Sequence, residues 1–505
     1  MKPMLTLLPA VALLAAVGRP ALAQDATPAA PSPEQAHVLE QQVRSWLMEV
    51  MNQKVMLSQR PVQFTPQGDH YLVSVPFGFI SQIKPADAAL TVQAKMLDAT
   101  RWQLDNQTFP SPLTITYQQQ VKDAPDEKNP SKTGMHAETV TTILKLGDQT
   151  NTATFDPTFA TATTGQSSVA SIDVTQTGGN TPMTTHFGRI TGQTSTRPVD
   201  PAHVDILVDG AGEGYLVTGQ GANGNAYSFA ADRVHVVSAV SGFTHDSFIP
   251  VIRALSAFGI ASEAAKKKPD DKIADAANQA AGHTLLTAAK GLLTGMRVDE
   301  SLEGVKFNVA GHSGTLSKVE FAAGGDAPQD MLSANLSFTL DGLALPELPP
   351  QLADYVPTHI AIRPTLSNVS VADLTKMGMD ATAPGGSGKP SPADEAALFQ
   401  HGGINFGFDT LELDVAGTKF AGTGKFVLTG PQVVSGQAEI SATGLDALIT
   451  KAQADPMLAQ GVPVVIFLKG IAHTTGDQAV WQISVADKKV LVNGVDLSAI
   501  AGGMK

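Results

Sequence analysis

The chain has 505 residues, of which 43% are hydrophobic and 16% charged, and it contains no cysteine. This apolar content can build a sizeable core and excludes wholesale disorder, while the length suggests about two to four domains. The absence of cysteine excludes disulfide scaffolds, thiolate metal sites and thiol nucleophiles. A net charge of −13 argues against a protein that binds duplex nucleic acid, because such proteins need a concentrated cationic surface.

Residues 1–23 are predicted to be a cleavable signal peptide. Lys2 precedes an almost uncharged apolar stretch over residues 4–17, and Ala21-Leu22-Ala23 matches the small-x-small pattern of a cleavage site. The stretch is shorter than the about 20 apolar residues that a spanning helix needs, and no later segment reaches that length. We therefore expect an exported, soluble, periplasmic protein with a disordered leader over residues 24–32 and no integral membrane segment after cleavage.

The region 33–245 is predicted to be a helix followed by a β-rich domain. Ser32 can cap a helix over residues 33–53, in which apolar residues recur at steps of three and four. The period then changes to two, which is typical of strands with one buried face, over residues 71–79, 90–96, 113–117, 204–217 and 227–240. The Thr-rich segment 147–197 is expected to be exposed sheet with irregular turns.

The second half is predicted to contain a helical pair, a β-rich region, a flexible linker and a C-terminal α+β region. Pro250 is expected in the opening turn of the first paired helix, and Asp270 and Asp271 near the N-terminus of the second. A helix over residues 445–454 precedes a last apolar run over residues 462–468, and Asn493-Gly494 predicts a closing hairpin. The helical pair is predicted over residues 246–296, the β-rich region over 297–382, the flexible linker over 383–393 and the C-terminal α+β region over 394–505.

Strands dominate, and the chain lacks the alternation of strands and helices that is typical of a doubly wound parallel sheet. The predicted fold class is therefore strand-dominated α+β, with large twisted antiparallel sheets and a few helices packed at one face or end.

Two motifs resemble functional sites but lack the required context. Residues 219–224 match G-x-G-x-x-G, yet a strand and not a helix is expected to follow, so a hairpin loop is the better interpretation. Residues 311–315 resemble a nucleophile elbow with His312 beside Ser313, but Thr315 stands where the strained turn needs glycine. A β-turn is the preferred interpretation there.

The remaining polar clusters also favour ordinary roles. The twelve histidines are scattered, and the acidic cluster at 123–127 lacks the glycine and the terminal glutamate of a calcium loop. Lys266-Lys267-Lys268 fits the favourable charge at a helix C-terminus, with contact to anionic lipid as the alternative. No catalytic, cofactor-binding or metal-binding residue is predicted, and no cofactor.

The last 90 or so residues resemble bacterial envelope families, namely alphaproteobacterial domain-of-unknown-function proteins and the YdgA-like and AsmA-like groups. The resemblance is carried by Gly422-Thr423-Gly424-Lys425-Phe426, Gln437-Ala438-Glu439-Ile440, residues 444–449 and residues 481–494. Lys488-Lys489 departs from the glycine turn usual in those families. The resemblance implies an elongated, sheet-based envelope protein without an assigned catalytic site, and in the AsmA-like case lipid handling in a β-groove.

The leading hypothesis is a non-enzymatic periplasmic protein that binds a lipid or other amphiphile through a β-sheet groove, or that supports envelope maintenance, with a lipid or an envelope protein as partner. The alternatives are an exported serine hydrolase using Ser313 with His312 or a distant base, and a surface adhesin. An outer-membrane barrel fits less well, because three Trp and five Tyr cannot furnish two aromatic girdles.

Overall fold

The computed structural model describes a set of segments that covers most of the chain. The predicted signal peptide, the leader up to residue 29, and most of the polar loop near residue 128 and of the linker near residue 385 lie outside them. The described segments are residues 30–51, 62–76, 82–98, 100–122, 135–156, 161–179, 181–221, 224–267, 271–382, 389–454, 459–486 and 489–497.

The chain divides into two compact units, Met1–Arg253 with Lys306–His312, and Ala254–Val305 with Ser313–Lys505. Up to the end of the first large sheet the elements are α1 (Pro33–Met51), β1 (Gln63–Gln67), β2 (His70–Pro76), β3 (Ile83–Lys84), β4 (Ala89–Met96), β5 (Trp102–Thr108), β6 (Leu113–Lys122), β7 (Met135–Leu146), β8 (Gln149–Asp156), β9 (Thr161–Val169), β10 (Ile172–Thr177), β11 (Met183–Phe187), β12 (Ile190–Pro198), β13 (His203–Gln220) and β14 (Ala226–Thr244).

The elements that follow are mostly part of the second unit. They are α2 (His245–Lys267), α3 (Lys272–Ala289), β15 (Gly295–Val309), β16 (His312–Asp326), a 3-10 turn (Pro328–Asp330), β17 (Met331–Asp341), α4 (Pro350–Ala353), β18 (His359–Ser370), α5 (Val371–Thr382), α6 (Pro392–Ala397), β19 (Ile404–Val415), β20 (Thr418–Gly430), β21 (Val433–Thr443), α7 (Leu445–Ala454), α8 (Val462–Gly470), β22 (His473–Thr475), β23 (Gln478–Ala486), β24 (Lys489–Val492) and β25 (Val495–Asp496). Every strand pair among the described residues is antiparallel, which confirms the strand-dominated α+β prediction.

Helix α1 begins where the sequence predicts. Ser32 Oγ accepts a hydrogen bond from the backbone N–H of Gln35 at 3.2 Å, as expected of a capping residue. Ala36, Leu39 and Val43 are buried at steps of three and four. Helix α1 is also joined to β1, because Glu40 accepts from the backbone N–H of Phe64 at 2.8 Å.

The first unit is organised around the long strand β13. One edge of β13 pairs with β14, and its other edge pairs with β12 over its first half and with β11 over its second half. The β12 arm continues through β9, β8, β5, β4, β2 and β1, and the β11 arm through β10, β7, β6 and β3. The Thr-rich segment is therefore regular sheet in β8–β12, as expected.

The core of the first unit lies where the far ends of the two arms face each other. Alternating residues of β2 and β4 are buried there, together with Trp102 and Leu104 from β5 and the apolar face of α1. Leu113 and Ile83 come from the β11 arm, so residues of both arms share one cluster. This arrangement buries the period-two pattern that the sequence shows.

The second unit contains a long meander in which most strands pair with the next strand along the chain. Strands β16 to β21 follow one another in order, and β23 and β24 continue the sheet from β21. Ala416 and Gly417, both at positive φ, form the two-residue turn between β19 and β20. The predicted Asn493-Gly494 hairpin is confirmed between β24 and β25.

Two local features differ from what the sequence pattern suggests. Helix α2 begins at His245, so Pro250 is its sixth residue and not part of the opening turn. The helix continues past Pro250 but lacks one backbone hydrogen bond, because proline has no N–H to donate to the carbonyl four residues earlier. The apolar run 462–468, which is rich in β-branched residues, forms helix α8, with Pro463 in its first turn, where no backbone donor is needed.

Candidate functional site

The sheet of the second unit has one apolar and one polar face. Residues that stand directly opposite each other on neighbouring strands share a face, so the register identifies its members. The apolar face comprises Val319 and Phe321 of β16, Leu336, Phe338 and Leu340 of β17, Ile360, Ile362 and Leu366 of β18, Phe406, Phe408, Leu411 and Leu413 of β19, Phe420 and Phe426 of β20, Ala438, Ile440 and Ala442 of β21, and Ala479, Trp481 and Ile483 of β23.

A β-bulge keeps the apolar face continuous in β19. Phe408 stands opposite Gly424 and Leu411 opposite Gly422, so the chain between them contains one residue more than strict alternation allows. Bulges of this kind shift which side chains reach a given face. As a result, Phe406, Phe408, Leu411 and Leu413 all lie on the apolar side.

Helices cover one end of the apolar face. The cluster there contains Ala442, Ala479 and Trp481 from the sheet, and α7 and α8 pack against it through Leu445, Leu448 and Val465. The indole Nε1 of Trp481 donates a hydrogen bond to the carbonyl oxygen of Leu468 in α8 at 2.8 Å. This end of the face is an ordinary hydrophobic core.

The same face is open to solvent over β16–β19. We define the open patch as Phe321, Leu336, Phe338, Ile362, Leu366 and Phe406, which are each 37–49% exposed. Across neighbouring strands Phe321 faces Phe338, Phe338 faces Ile362, and Leu366 faces Phe406. Pro364, opposite Phe408, lies between Ile362 and Leu366 on the same face and joins the two groups. Phe406 also stacks on Phe426, with ring centroids 5.4 Å apart.

The open patch has the size of the apolar patches that often serve a function in single chains. If a whole residue of this kind exposes roughly 200 Å², the six side chains present on the order of 500 Å² to solvent. Single soluble chains seldom expose more than about 300–600 Å² of contiguous apolar surface, and patches of that size are often functional. The patch is therefore the candidate functional site.

The opposite face of the sheet is polar and forms a shallow groove of about 920 Å³. The side chains of its floor include Thr423, Lys425, Gln437, Glu439, Gln482 and Ser484, and the strand residues Phe408, Ala438 and Ile483, whose side chains belong to the apolar face, also line it. The floor residues alternate with members of the apolar face along β20, β21 and β23. Polar ligands would therefore meet the opposite side of the sheet from the open patch.

His359 lies between two carboxylates at the start of β18. Its Nδ1 is 2.6 Å from Asp341 and its Nε2 is 3.1 Å from Glu412. The hydrogen bond to Asp341, with that to Glu412, raises the pKa of His359 above its usual value, although desolvation opposes the shift. The carboxylates engage opposite edges of the ring and do not converge on one point, and among the described residues no group of three or more His, Asp or Glu is arranged to hold a metal ion.

The glycine-rich motif lies in a hairpin, as expected. Gly219 is near the end of β13, Gly224 has a φ of 77°, and the chain continues directly into β14. The N–H of Gly221 donates to the carbonyl of Asn225, which closes the loop. No helix follows the motif, so it lacks the N-terminal amides that a dinucleotide site uses.

The Gly311–Thr315 motif is a strand start and not a nucleophile elbow. Ala310 and Gly311 form a turn at positive φ, and β16 begins at His312. The Oγ and the N–H of Ser313 both donate to Glu347 Oε1 at 2.8 Å. His312 and Ser313 point to opposite faces, because they are neighbours in a strand.

The basic and acidic clusters show no further site geometry. Lys266 and Lys267 end α2, as predicted, whereas Lys268 and the acidic residues at 123–127 lie outside the described segments. Asp271 caps α3 and accepts from the N–H of Ile273 at 3.0 Å.

One helix in the described part of the chain, Asp246–Lys266, is long and apolar enough to cross a membrane by length and composition. That the chain has no integral membrane segment after the signal peptide stays a prediction.

Phe321, Leu336 and Phe338 lie in alternating segments typical of strands, inside the β-rich region predicted over residues 297–382, whereas no predicted pattern marked Ile362, Leu366 and Phe406. Two signals were available in the sequence. Ile360 and Ile362 alternate as in a strand, but Pro364 interrupts the pattern, and Phe406 and Phe408 alternate, but the bulge puts them out of phase with Leu411. The residues that carry the resemblance lie in β20, β21, β23, β24 and at the start of α7.

Comparisons of the chain with protein-family models, with curated proteins and with solved structures give no match. The resemblance to envelope families therefore stays a prediction, and the function is argued from the geometry.

Proposed function

We propose that this protein binds the hydrocarbon part of a lipid or similar amphiphile on the open patch, without catalysing a reaction. The observation that carries the proposal is the difference between the two ends of one apolar face. Helices α7 and α8 cover the face at β20–β24, whereas Phe338 and its neighbours on β16–β19 are 37–49% exposed, and among the described residues no helix packs on them in a buried cluster. A bound hydrocarbon chain would shield the open patch from water, as α7 and α8 shield the other end of the face.

The shape and chemistry of the patch favour an acyl chain over a compact polar ligand. All six side chains are aliphatic or phenylalanine, so the patch itself offers hydrocarbon contact and no charge. Four strands at about 4.8 Å spacing span about 15 Å, which is the length of a medium-length acyl chain. A headgroup would extend past the patch into solvent.

The size of the patch sets the scale of its hydrophobic contribution. Covering about 500 Å² of protein surface at roughly 25 cal/mol per Å² gains on the order of 12 kcal/mol. Immobilising the ligand costs at least about 4 kcal/mol, so only part of this gain is available as affinity. The export predicted from residues 1–23 would place this lipid binding in the bacterial envelope.

The test combines the natural ligand with a fluorescent fatty acid as probe. We expect mass spectrometry to detect a lipid in organic extracts of protein that was purified without detergent. We also expect the fluorescent fatty acid to bind saturably, and the extracted lipid to displace it. Phe338→Asn should weaken probe binding about tenfold, which corresponds to about 1.4 kcal/mol. Ser337→Asn is the matched control, because Ser337 is the adjacent residue on the opposite face.

Two results would refute the proposal. One is the absence of saturable probe binding by the wild-type protein. The other is equal binding by the wild type and the double variant Phe321→Asn, Phe338→Asn. Concentration-dependent dimerisation that the double variant abolishes would instead assign the patch to a second copy of the chain.

A further inference from the structure

Helix α8 has a second apolar surface that the sheet does not cover. From Val462 to Leu468 the helix contains no polar side chain. Val462 is buried and Val465 packs into the core cluster with Trp481. On the other side, which we call the outer side of α8, the side chains of Val464, Ile466, Phe467 and Leu468 are 37–60% exposed.

This outer side differs from that of an ordinary surface helix. A helix at the surface of a soluble protein has polar residues on its outer side, and a helix that is apolar all round is normally buried. The four side chains are consecutive or nearly so, and they form one patch within about two turns of helix. Among the described residues, nothing buries the outer side of α8, which is the kind of surface that a partner or a lipid covers.

Charge and polarity at the helix favour lipid as that cover. Protein interfaces contain about one hydrogen bond per 100–200 Å², and the outer side of α8 offers no side-chain donor or acceptor. The nearby cations are already paired, because Lys469 contacts Asp446, and Lys451 lies 2.9 Å from Asp354. Neither ion pair carries a net charge, so these two lysines add no attraction to an anionic lipid surface, which favours a zwitterionic one.

The position of α8 gives a second reason. Helix α8 packs on the same face of the same sheet that carries the open patch, at its covered end. A lipid that enters the open patch comes from a membrane, and a lipid that leaves it returns to one. A membrane contact on the same face shortens the path of that transfer. This step rests on the proposed function.

We propose that the outer side of α8 inserts into the interface of a zwitterionic bilayer and docks the protein there. This membrane would supply lipid to the open patch or receive lipid from it. Interfacial helices bury their apolar side about 5–10 Å into the boundary between headgroups and acyl chains. Val464 and Phe467 would be the deepest residues, and Lys469 would remain at the headgroup level with Asp446.

The experiment is flotation of the full chain with phosphatidylcholine vesicles in a density gradient. The wild-type protein should float, and the double variant Val464→Ser, Phe467→Ser should partition at least tenfold less. Both residues are exposed, so the variant should keep the wild-type circular dichroism spectrum and thermal midpoint. Ile273→Ser is the matched control, because Ile273 is an exposed apolar residue at the start of α3, and it should float like the wild type.

The two proposals fail separately. The α8 double variant should bind the soluble fluorescent fatty acid like the wild type when no vesicles are present, and Phe338→Asn should float normally. Failure of the wild type to float, or equal flotation of the α8 double variant, would overturn membrane docking, even if probe binding is normal. Self-association that the α8 variant abolishes, without flotation of the wild type, would also overturn docking and assign the surface to a second copy.

Discussion

Trp481 of β23 holds the last turn of α8 through a hydrogen bond from its indole N–H to the carbonyl oxygen of Leu468, 2.8 Å away. The last four carbonyls of a helix have no partner within it, so an external donor stabilises this end. The same indole ring is part of the core beneath α7 and α8. A single side chain thus both fills the covered end of the apolar face and fixes the helix that covers it.

Replacing Trp481 by Phe should destabilise the second unit while leaving the open patch intact. The variant loses one hydrogen bond and some buried area, and we expect the free energy of unfolding to fall by about 1–3 kcal/mol. Urea unfolding followed by circular dichroism measures the change. Binding of the fluorescent fatty acid should be unchanged. A decrease in the free energy of unfolding below about 0.3 kcal/mol would show that the hydrogen bond does not hold α8.

His359 should make stability depend on pH. Its pKa is raised in the folded protein by Asp341 and Glu412, above the ordinary value of 6.5. The protonated ring therefore contributes stability that is fully present below pH 6.5 and is lost as the pH rises through the folded-state pKa. We expect the urea midpoint to fall over that window in the wild type.

His359→Gln provides the comparison for this pH effect. Glutamine can still donate to one carboxylate but does not titrate, so the midpoint of the variant should vary less with pH over the same window. The difference between the two curves isolates His359 from the other histidine–carboxylate pairs, such as His186 with Asp173. Parallel curves would contradict the prediction.

Gly407 lies where β19 and β20 approach closely. A Cβ at this position would overlap the carbonyl oxygen of Gly424 on the neighbouring strand. Because backbone cannot move aside like a flexible side chain, we expect Gly407→Ala to lower the free energy of unfolding by about 1–3 kcal/mol. Gly259→Ala is the control, since no atom lies within 4 Å and alanine favours helix by about 0.5–1 kcal/mol. Equal thermal midpoints of the two variants would contradict the expected clash.

Leu90 tests the core of the first unit. It is 1% exposed in the cluster shared by the two sheet arms, and Leu90→Ala should cost about 2–5 kcal/mol. Val208→Ala, at a residue that is 41% exposed, should cost less than about 1 kcal/mol. Hydrogen exchange of a peptide spanning β4 reports the change, and unaltered protection of that peptide in Leu90→Ala would contradict it.

Most of the fold could be predicted from local patterns. The spacing of Leu39, Val43 and Trp46 predicted α1, and alternation predicted β4 and β13, because these patterns follow directly from helix and strand geometry. Helix α8 shows the limit of such reasoning. The β-branched residues between 462 and 466 favour a strand by propensity, but contacts with Trp481, which lies in a strand 13 positions after Leu468, stabilise a helix.

The candidate site was less predictable than the fold. Alternation showed that Leu336 and Phe338 share a side of β17, yet the cover over that side depends on where α7 and α8 pack. Local pattern does not contain that information. The phase change at Phe408 also needed the pairing with β20, since a bulge is a property of two strands.

The order of strands in the second unit has a kinetic consequence. Strands β19, β20 and β21 are joined by two-residue turns, whereas β18 pairs with β19 across residues 371–403, which include α5 and α6. Rates of folding fall as the mean sequence separation of contacts rises. We therefore expect the β19–β21 hairpins to form early and β18 to join them later. The open patch spans that junction, because Leu366 of β18 faces Phe406 of β19, so the patch is complete only after the slower pairing has formed.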